Sequence, residues 1–129
     1  MVAIDTNVLV RFLTGDDEVQ YKAGLKLFSS ATVFIPDTVV LETEWVLRAA
    51  YDLDPTVVCE VLRRVFGLPN VRLANGQRIA RAIDWHELGL DFADSLHLAS
   101  CQDLESLRTF DLDFIRRAAG LGECRVERP

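Results

Sequence analysis

The sequence is poor in the features that mark several large classes of protein. It has three cysteines among 129 residues, Cys59, Cys101 and Cys124, and no two are close together. This odd and scattered set argues against a disulfide framework and a zinc knuckle, so we expect buried free thiols. No apolar stretch approaches the length of a membrane span, and we expect no membrane partner. The N-terminus lacks a basic segment and a long apolar run, so it does not resemble a signal peptide and we expect a cytoplasmic protein.

Basic residues are also scarce, with 14 Lys and Arg against 20 Asp and Glu and a net charge of -6. A general nucleic-acid binder would normally be basic, so this class is disfavoured. An enzyme that meets phosphate through a divalent cation is not excluded, because a carboxylate cluster adds negative charge that the metal neutralises. The length suits one domain over residues 1–129, and no repeat, low-complexity tract or linker divides it.

Short apolar segments alternate with longer amphipathic ones. The expected strands are residues 2–4, 33–35, 71–73, 107–110 and, at an edge, 124–127. The expected helices are residues 8–13, 18–30, 37 or 38 to 51, 55–66, 75–88, 92–103 after an Asp91 cap, and a last one from Asp111 to about residue 120. Strands alternating with helices predict an α/β fold with a parallel sheet covered on both faces.

Two carboxylates follow strands directly: Asp5 after the first and Asp111 after the fourth. Ligands of open parallel sheets bind beyond the carboxyl ends of the strands. Both residues also suit the N-cap position of the following helix. The two roles are compatible, because each carboxylate has two oxygens.

Glu42 is predicted on the apolar side of a helix. At 100° per residue it falls between Val46 and Ala49, with Trp45 close by. A carboxylate there needs a partner, either a buried arginine or a metal, and we favour a functional role. Glu44, four residues before Arg48, is expected to form an ordinary solvated pair.

The segment from Asp91 to Ala99 predicts a capping box, with Asp91 as the cap and Asp94 at the third helical position. Asp94 is expected to face partly inward at a helix start, where negative charge is favoured. His97, one turn later, is either a further ligand or, as we prefer, a packed or partly exposed histidine. Asp111 and Asp113 do not share a helix face, so we expect only one of them to reach a metal directly.

Carboxylate oxygens without a Cys/His cluster suit Mg²⁺ or Mn²⁺ rather than zinc. Such an ion supports phosphodiester hydrolysis by activating a water and stabilising charge on the phosphate. The sequence has no P-loop, dinucleotide-binding glycine turn or nucleophile elbow, so nucleotide-driven and acyl-transfer chemistry lack support.

These motifs resemble the PIN-domain family, and within it the VapC-type ribonuclease toxins of type II toxin–antitoxin systems. The resemblance rests on Ile4-Asp5-Thr6-Asn7, on Glu42, on the segment from Asp91 to Ala99 and on the segment from Thr109 to Phe114. Their order and spacing in a short chain make it specific. It implies a three-layer α/β/α fold with about five short parallel strands, and Mg²⁺- or Mn²⁺-dependent endoribonuclease activity.

The resemblance also implies roles for particular residues. The catalytic and metal-binding positions are Asp5, Glu42, Asp94 and Asp111, with Asp113 as a substitute or a supporting group. The supporting polar positions are Thr6, Asn7 and Thr109. Arg11, Arg116 and Arg117 lie near the motifs and are either contacts to RNA phosphates or solvated surface charges.

The family further implies a homodimer neutralised by a small antitoxin that lies in a groove along the helices. Apolar residues that either line such a groove or belong to the core are Trp45, Leu47, Tyr51, Val58 and Leu62. One alternative is a catalytically silent PIN-like module that acts through protein binding. Another is a phosphatase or nucleotide hydrolase of a doubly wound family, which is disfavoured because Asp5 is followed by Thr6-Asn7 rather than by Asp-x-Asp.

Overall fold

The computed structural model describes all 129 residues, which form two compact units, residues 1–76 and 77–129. The first unit contains β1 (Val2–Ala3), α1 (Thr6–Thr14), α2 (Glu18–Ser30), β2 (Val33–Ile35), α3 (Asp37–Ala49), α4 (Pro55–Phe66) and β3 (Val71–Leu73). Helix α5 (Gly76–Glu87) starts at the boundary, and the second unit continues with α6 (Phe92–Ala99), β4 (Ser106–Arg108), α7 (Leu112–Ala118) and β5 (Arg125–Glu127).

The first unit is built on a parallel three-stranded sheet in the order β1-β2-β3. Val33 of β2 is in register with Val2 on one side and with Val71 on the other. β-branched residues favour such strands. The fully or almost fully buried side chains of this unit include Leu9, Val33, Ile35, Val40, Leu47, Val58 and Leu62. Ile4, also buried, directly follows β1 and fixes the start of the segment that leads into α1.

The second unit has a parallel two-stranded sheet in which Ser106 of β4 is in register with Arg125 of β5. Its buried side chains include Ile79, Ile83, Phe92, Leu98 and Phe114, all of which lie on helices. The helices of the chain include none that is long and apolar enough to cross a membrane. The three cysteines are free, as predicted, although Cys101 is only half-buried.

The predicted fold class is confirmed: five short strands, all paired in parallel, alternate with helices. Their hydrogen bonds group them as three and two. The predicted bounds of α2, β2 and β3 agree with the structure.

The predicted end of α6 and the predicted start of α3 are wrong. The helix after Asp91 ends at Ala99 rather than at Asp103. The Leu98 carbonyl accepts from the side-chain amide of Gln102 and from the backbone N–H of Cys101, and these bonds satisfy a carbonyl that a longer helix would otherwise use.

Helix α3 differs at its start. Neither Asp37 nor Thr38 is its N-cap, because the helix already begins at Asp37 and extended Pro36 occupies the cap position without a side-chain bond. The Pro36 carbonyl instead accepts the first helical bonds from Val39 and Val40.

Candidate active site

Asp5 joins β1 to α1. Its Oδ1 accepts a hydrogen bond from the backbone N–H of Val8 at 3.1 Å, so the predicted N-cap is confirmed. The side chain is exposed, and its other oxygen takes no part in the cap. A carboxylate fixed through one oxygen still presents the second one to a ligand.

The predicted environments of the two α3 glutamates are wrong. Glu42 is exposed, whereas Glu44 is only 2% exposed. The predicted pair is present, since Arg48 Nε donates to Glu44 at 2.9 Å, but it is not a solvated one. The prediction from the helical wheel failed because Trp45, which defined its apolar side, is 57% exposed. The buried face of α3 instead contains Val40, Glu44 and Leu47.

Glu42 nevertheless lies in the same cavity as Asp5. This cavity belongs to the first unit and has a volume of about 580 Å³. The same cavity is lined by predicted supporting and basic residues, namely Thr6, Asn7 and Arg11. The first unit therefore brings together two of the predicted carboxylates and three of their predicted neighbours.

Arg11 is held firmly at the wall of this cavity. Its Nη1 lies 2.7 Å from Asp16 Oδ2 and donates to the Tyr51 hydroxyl at 3.1 Å, and its Nε donates to Gln20 at 2.8 Å. Tyr51 also donates to Asp16. These bonds, first from Tyr51 and then from Arg11, lower the pKa of Asp16 to about 2.

Sequence reasoning missed this network around Arg11. Tyr51 and Thr38 line the cavity as well, and neither was assigned to the site. The bonds join residues that are as many as 40 positions apart, so no local pattern indicates them.

In the second unit, Asp91 caps α6 by accepting from the backbone N–H of Asp94 at 3.3 Å, as predicted. Asp94 is half-buried. Burial raises the pKa of Asp94, and the charges of Asp91, Asp111 and, less strongly, Asp113 raise it further, while His97 lowers it. Asp94 therefore lies in the negative field of the last acidic motif, and His97 is exposed.

Asp111 is held by the turn between β4 and α7. Its Oδ1 accepts from the backbone N–H groups of Asp113 and Phe114, at 3.0 and 3.1 Å, so the predicted cap is confirmed. The Thr109 hydroxyl accepts from the backbone N–H of Asp111 at 3.0 Å. Thr109 thus orients Asp111, which keeps one oxygen outside the cap.

Asp113 has a different environment from Asp111. It pairs with Arg116 and with Arg117, whose Nε lies 2.9 Å from Oδ2. The two arginines, Arg117 first, lower the pKa of Asp113. Its charge is therefore compensated by side chains of its own helix.

The four predicted ligands have the chemistry of a divalent-cation site. Asp5, Glu42, Asp94 and Asp111 form no ion pair with lysine or arginine in the structure. Hard carboxylate oxygens without a competing cation are the ligands that Mg²⁺ prefers, so the donor chemistry fits. No three His, Cys, Asp or Glu side chains form a group arranged to hold an ion.

Comparison with protein families shows which family the chain belongs to. The family model of the PIN domain matches residues 2–120, and so includes all the motifs described above. The chain belongs to the PIN-domain family. This PIN domain is similar to the crystal structure of VapC20 of Mycobacterium tuberculosis, described as a sarcin-ricin loop cleaving toxin, with 19% identity over 97% of this chain and 99% of that one and a TM-score of 0.45. No curated protein matches the chain.

Proposed function

We propose that this PIN-domain protein is an Mg²⁺- or Mn²⁺-dependent endoribonuclease in which Asp5, Glu42, Asp94 and Asp111 bind the cation. One observation carries the proposal: none of these four carboxylates has a lysine or arginine partner, whereas Asp113 has two. Four uncompensated carboxylates in a PIN domain are the donor set for a hard divalent cation.

The proposed residues have different roles in phosphodiester hydrolysis. A bound ion would supply an activated water and stabilise charge on the attacked phosphate. One of the carboxylates would accept the proton of the attacking water, and hydrolysis would leave a 5′-phosphate and a 3′-hydroxyl. Thr6 and Asn7 provide polar side chains in the cavity that Asp5 lines. Thr109 orients Asp111 by accepting a hydrogen bond from its backbone N–H.

The arginines act at the substrate. Arg11 is fixed in the wall of the cavity that Asp5 and Glu42 line, a position suited to an RNA phosphate. Asp113 holds Arg116 and Arg117 within one or two turns of Asp111, so it acts as a positioning residue rather than as a ligand. Phosphate contacts of this kind position RNA without reading its sequence.

The experiment is RNA cleavage by purified protein in Mg²⁺, in Mn²⁺ and in chelator. Asp94→Asn is expected to lower the rate by about 100-fold or more, because even the loss of a residue that supports a metal ligand costs 10- to 100-fold. Asp103→Asn, an equal change at an exposed position outside the motifs, is the control. Full Mg²⁺-dependent cleavage by Asp94→Asn would falsify the assignment.

We further propose that the enzyme is the toxin of a toxin–antitoxin pair, acts on cytoplasmic RNA as a homodimer and is neutralised by a small antitoxin. Of the apolar residues considered for the antitoxin groove, Leu47, Val58 and Leu62 belong to the core. Tyr51 is half-buried and bonded to Arg11 and Asp16, so the 57% exposed Trp45 is the residue of this set that is most available to a partner. Trp45→Ala is expected to weaken binding of the antitoxin encoded beside the gene and to leave cleavage unchanged, and light scattering tests the dimer.

A catalytically silent module is the second candidate, favoured by the absence of three convergent metal ligands. It predicts that calorimetric titration detects no binding of Mg²⁺ or Mn²⁺ while antitoxin binding persists. Metal binding that is lost in Asp5→Asn excludes this candidate.

A further inference from the structure

A second cavity, of about 270 Å³, lies beside α1 and α2 in the first unit. One part of its lining is polar, with Asn7, Arg11 and Gln20, and the other is apolar, with Ala23, Gly24 and Leu27. Asn7 and Arg11 also line the cavity that contains Asp5 and Glu42. The two cavities therefore lie on either side of the Asn7 and Arg11 side chains of α1.

The orientation of the Gln20 amide is determined by its neighbours. Arg11 Nε lies 2.8 Å from Gln20 Oε1, and the amide nitrogen of Asn7 lies 3.5 Å from the same oxygen. A guanidinium can only donate, so the oxygen of Gln20 must face Arg11. The NH₂ group of Gln20 makes no hydrogen bond within the protein, and Gln20 belongs to the polar side of the cavity lining.

The dimensions favour a single flat ring system. Pockets for drug-sized molecules have volumes of about 300–1,000 Å³, and this cavity is slightly smaller. A nucleobase combines an apolar face with a polar edge. The lining matches both parts, because the apolar residues come from one face of α2 and the polar ones lie together around Arg11.

We propose that this cavity is a subsite for one unpaired nucleobase of the RNA, and that the Gln20 amide reads its acceptor edge. The inference rests on the proposed function, because it takes RNA to be the substrate at Asp5 and Glu42. The carbonyl oxygens of guanine, uracil and cytosine each have two lone pairs and can accept from Gln20 and from a second donor such as Asn7, whereas each ring nitrogen of adenine accepts a single bond. The subsite therefore favours a carbonyl-bearing base over adenine.

Two variants test the subsite without touching the carboxylates. Ala23→Leu fills the apolar part from an exposed helix position. Gln20→Glu keeps an acceptor for Arg11 but replaces the free NH₂ donors by an acceptor oxygen. Lys22→Gln changes the charge by the same amount on the same helix outside the cavity, and it is the control for Gln20→Glu.

The first measurement is the base preference around the cleavage sites in single-stranded RNA of randomised sequence. We expect the unaltered protein to favour carbonyl-bearing bases over adenine at one position by roughly tenfold, as one good base contact allows. Ala23→Leu should remove the preference, and Gln20→Glu should shift it away from uracil, the one base that has no amino group to donate. Lys22→Gln should keep it.

The second measurement does not depend on cleavage. GMP, UMP and AMP are titrated into the ¹⁵N-labelled full chain, and GMP and UMP are expected to shift the Gln20 side-chain NH₂ resonance more than AMP does.

Two results would overturn the subsite and leave the nuclease proposal intact. One is that the Gln20 resonances do not change, and the other is that all three variants cleave with the same base preference. Loss of antitoxin binding in Ala23→Leu with unchanged base preference also overturns it, since the cavity then binds protein. Absence of all cleavage by the unaltered protein contradicts the proposed function instead.

Discussion

Two glutamates of α3 have opposite environments although they are two positions apart. Glu42 is exposed and unpaired, while Glu44 is buried and bound to Arg48. We expect Glu42→Gln to abolish cleavage while changing the free energy of unfolding by less than about 0.5 kcal/mol. Glu44→Gln should instead lower it by about 1–3 kcal/mol, because a charge-assisted bond is lost in the interior. Urea unfolding and RNA cleavage measure both effects, and equal losses of stability would contradict the assignment.

The same two residues show where the sequence was informative. The caps at Asp5, Asp91 and Asp111 were predicted correctly, because a cap depends on backbone groups two or three residues away. The burial of Glu44 was not, because it depends on which face of α3 the rest of the unit covers. An arc containing Trp45 looks interior by hydropathy alone, and only packing shows that this side chain is exposed.

At the scale of the helix, Asp111 caps α7 and is proposed to bind the cation, and substitution can separate the two roles. Asparagine and aspartate are about equally good N-caps, whereas alanine costs about 1 kcal/mol. Asp111→Asn should therefore lose Mg²⁺-dependent cleavage with little change in stability, while Asp111→Ala should lose both. Thermal unfolding and cleavage rates of the two variants provide the comparison. An Asp111→Asn protein with full activity would restrict Asp111 to its role as a cap.

The end of α1 is joined to the end of α3 by Asp16, whose pKa of about 2 lies below its usual 3.8. A carboxyl whose pKa is lower in the folded state contributes stability above the unfolded pKa. This contribution should be lost as the pH falls from about 3.8 to about 2. Tyr51→Phe, which removes the largest cause, should raise the pKa towards 3.8.

The titration of Asp16 is followed by NMR of its carboxyl carbon in the two proteins. The matched control is Tyr21→Phe, since Tyr21 stacks on Phe12 and makes no bond to Asp16. An ordinary midpoint for Asp16 in the unaltered protein would show that the network does not form in solution.

Across the whole molecule, the PIN-domain match runs through both units. Of the predicted ligands, Asp5 and Glu42 belong to the first unit, and Asp94 and Asp111 belong to the second. The alternation of strands and helices was sufficient to predict the α/β class and the parallel pairing. The division of five strands into sets of three and two was not predictable, because it depends on hydrogen bonds between segments far apart in sequence.

The proposed cation should stabilise a chain that has a net charge of -6 and four carboxylates without a lysine or arginine partner. A ligand at 100 times its Kd adds about 2.7 kcal/mol to the stability of the folded state. For a chain of this size that corresponds to a Tm higher by about 10 °C in Mn²⁺ or Mg²⁺. NaCl at equal ionic strength should give much less, since it only screens the charges. Asp5→Asn and Asp94→Asn should each reduce the metal-dependent rise and keep the response to NaCl, whereas a full rise in both variants would place the ion elsewhere.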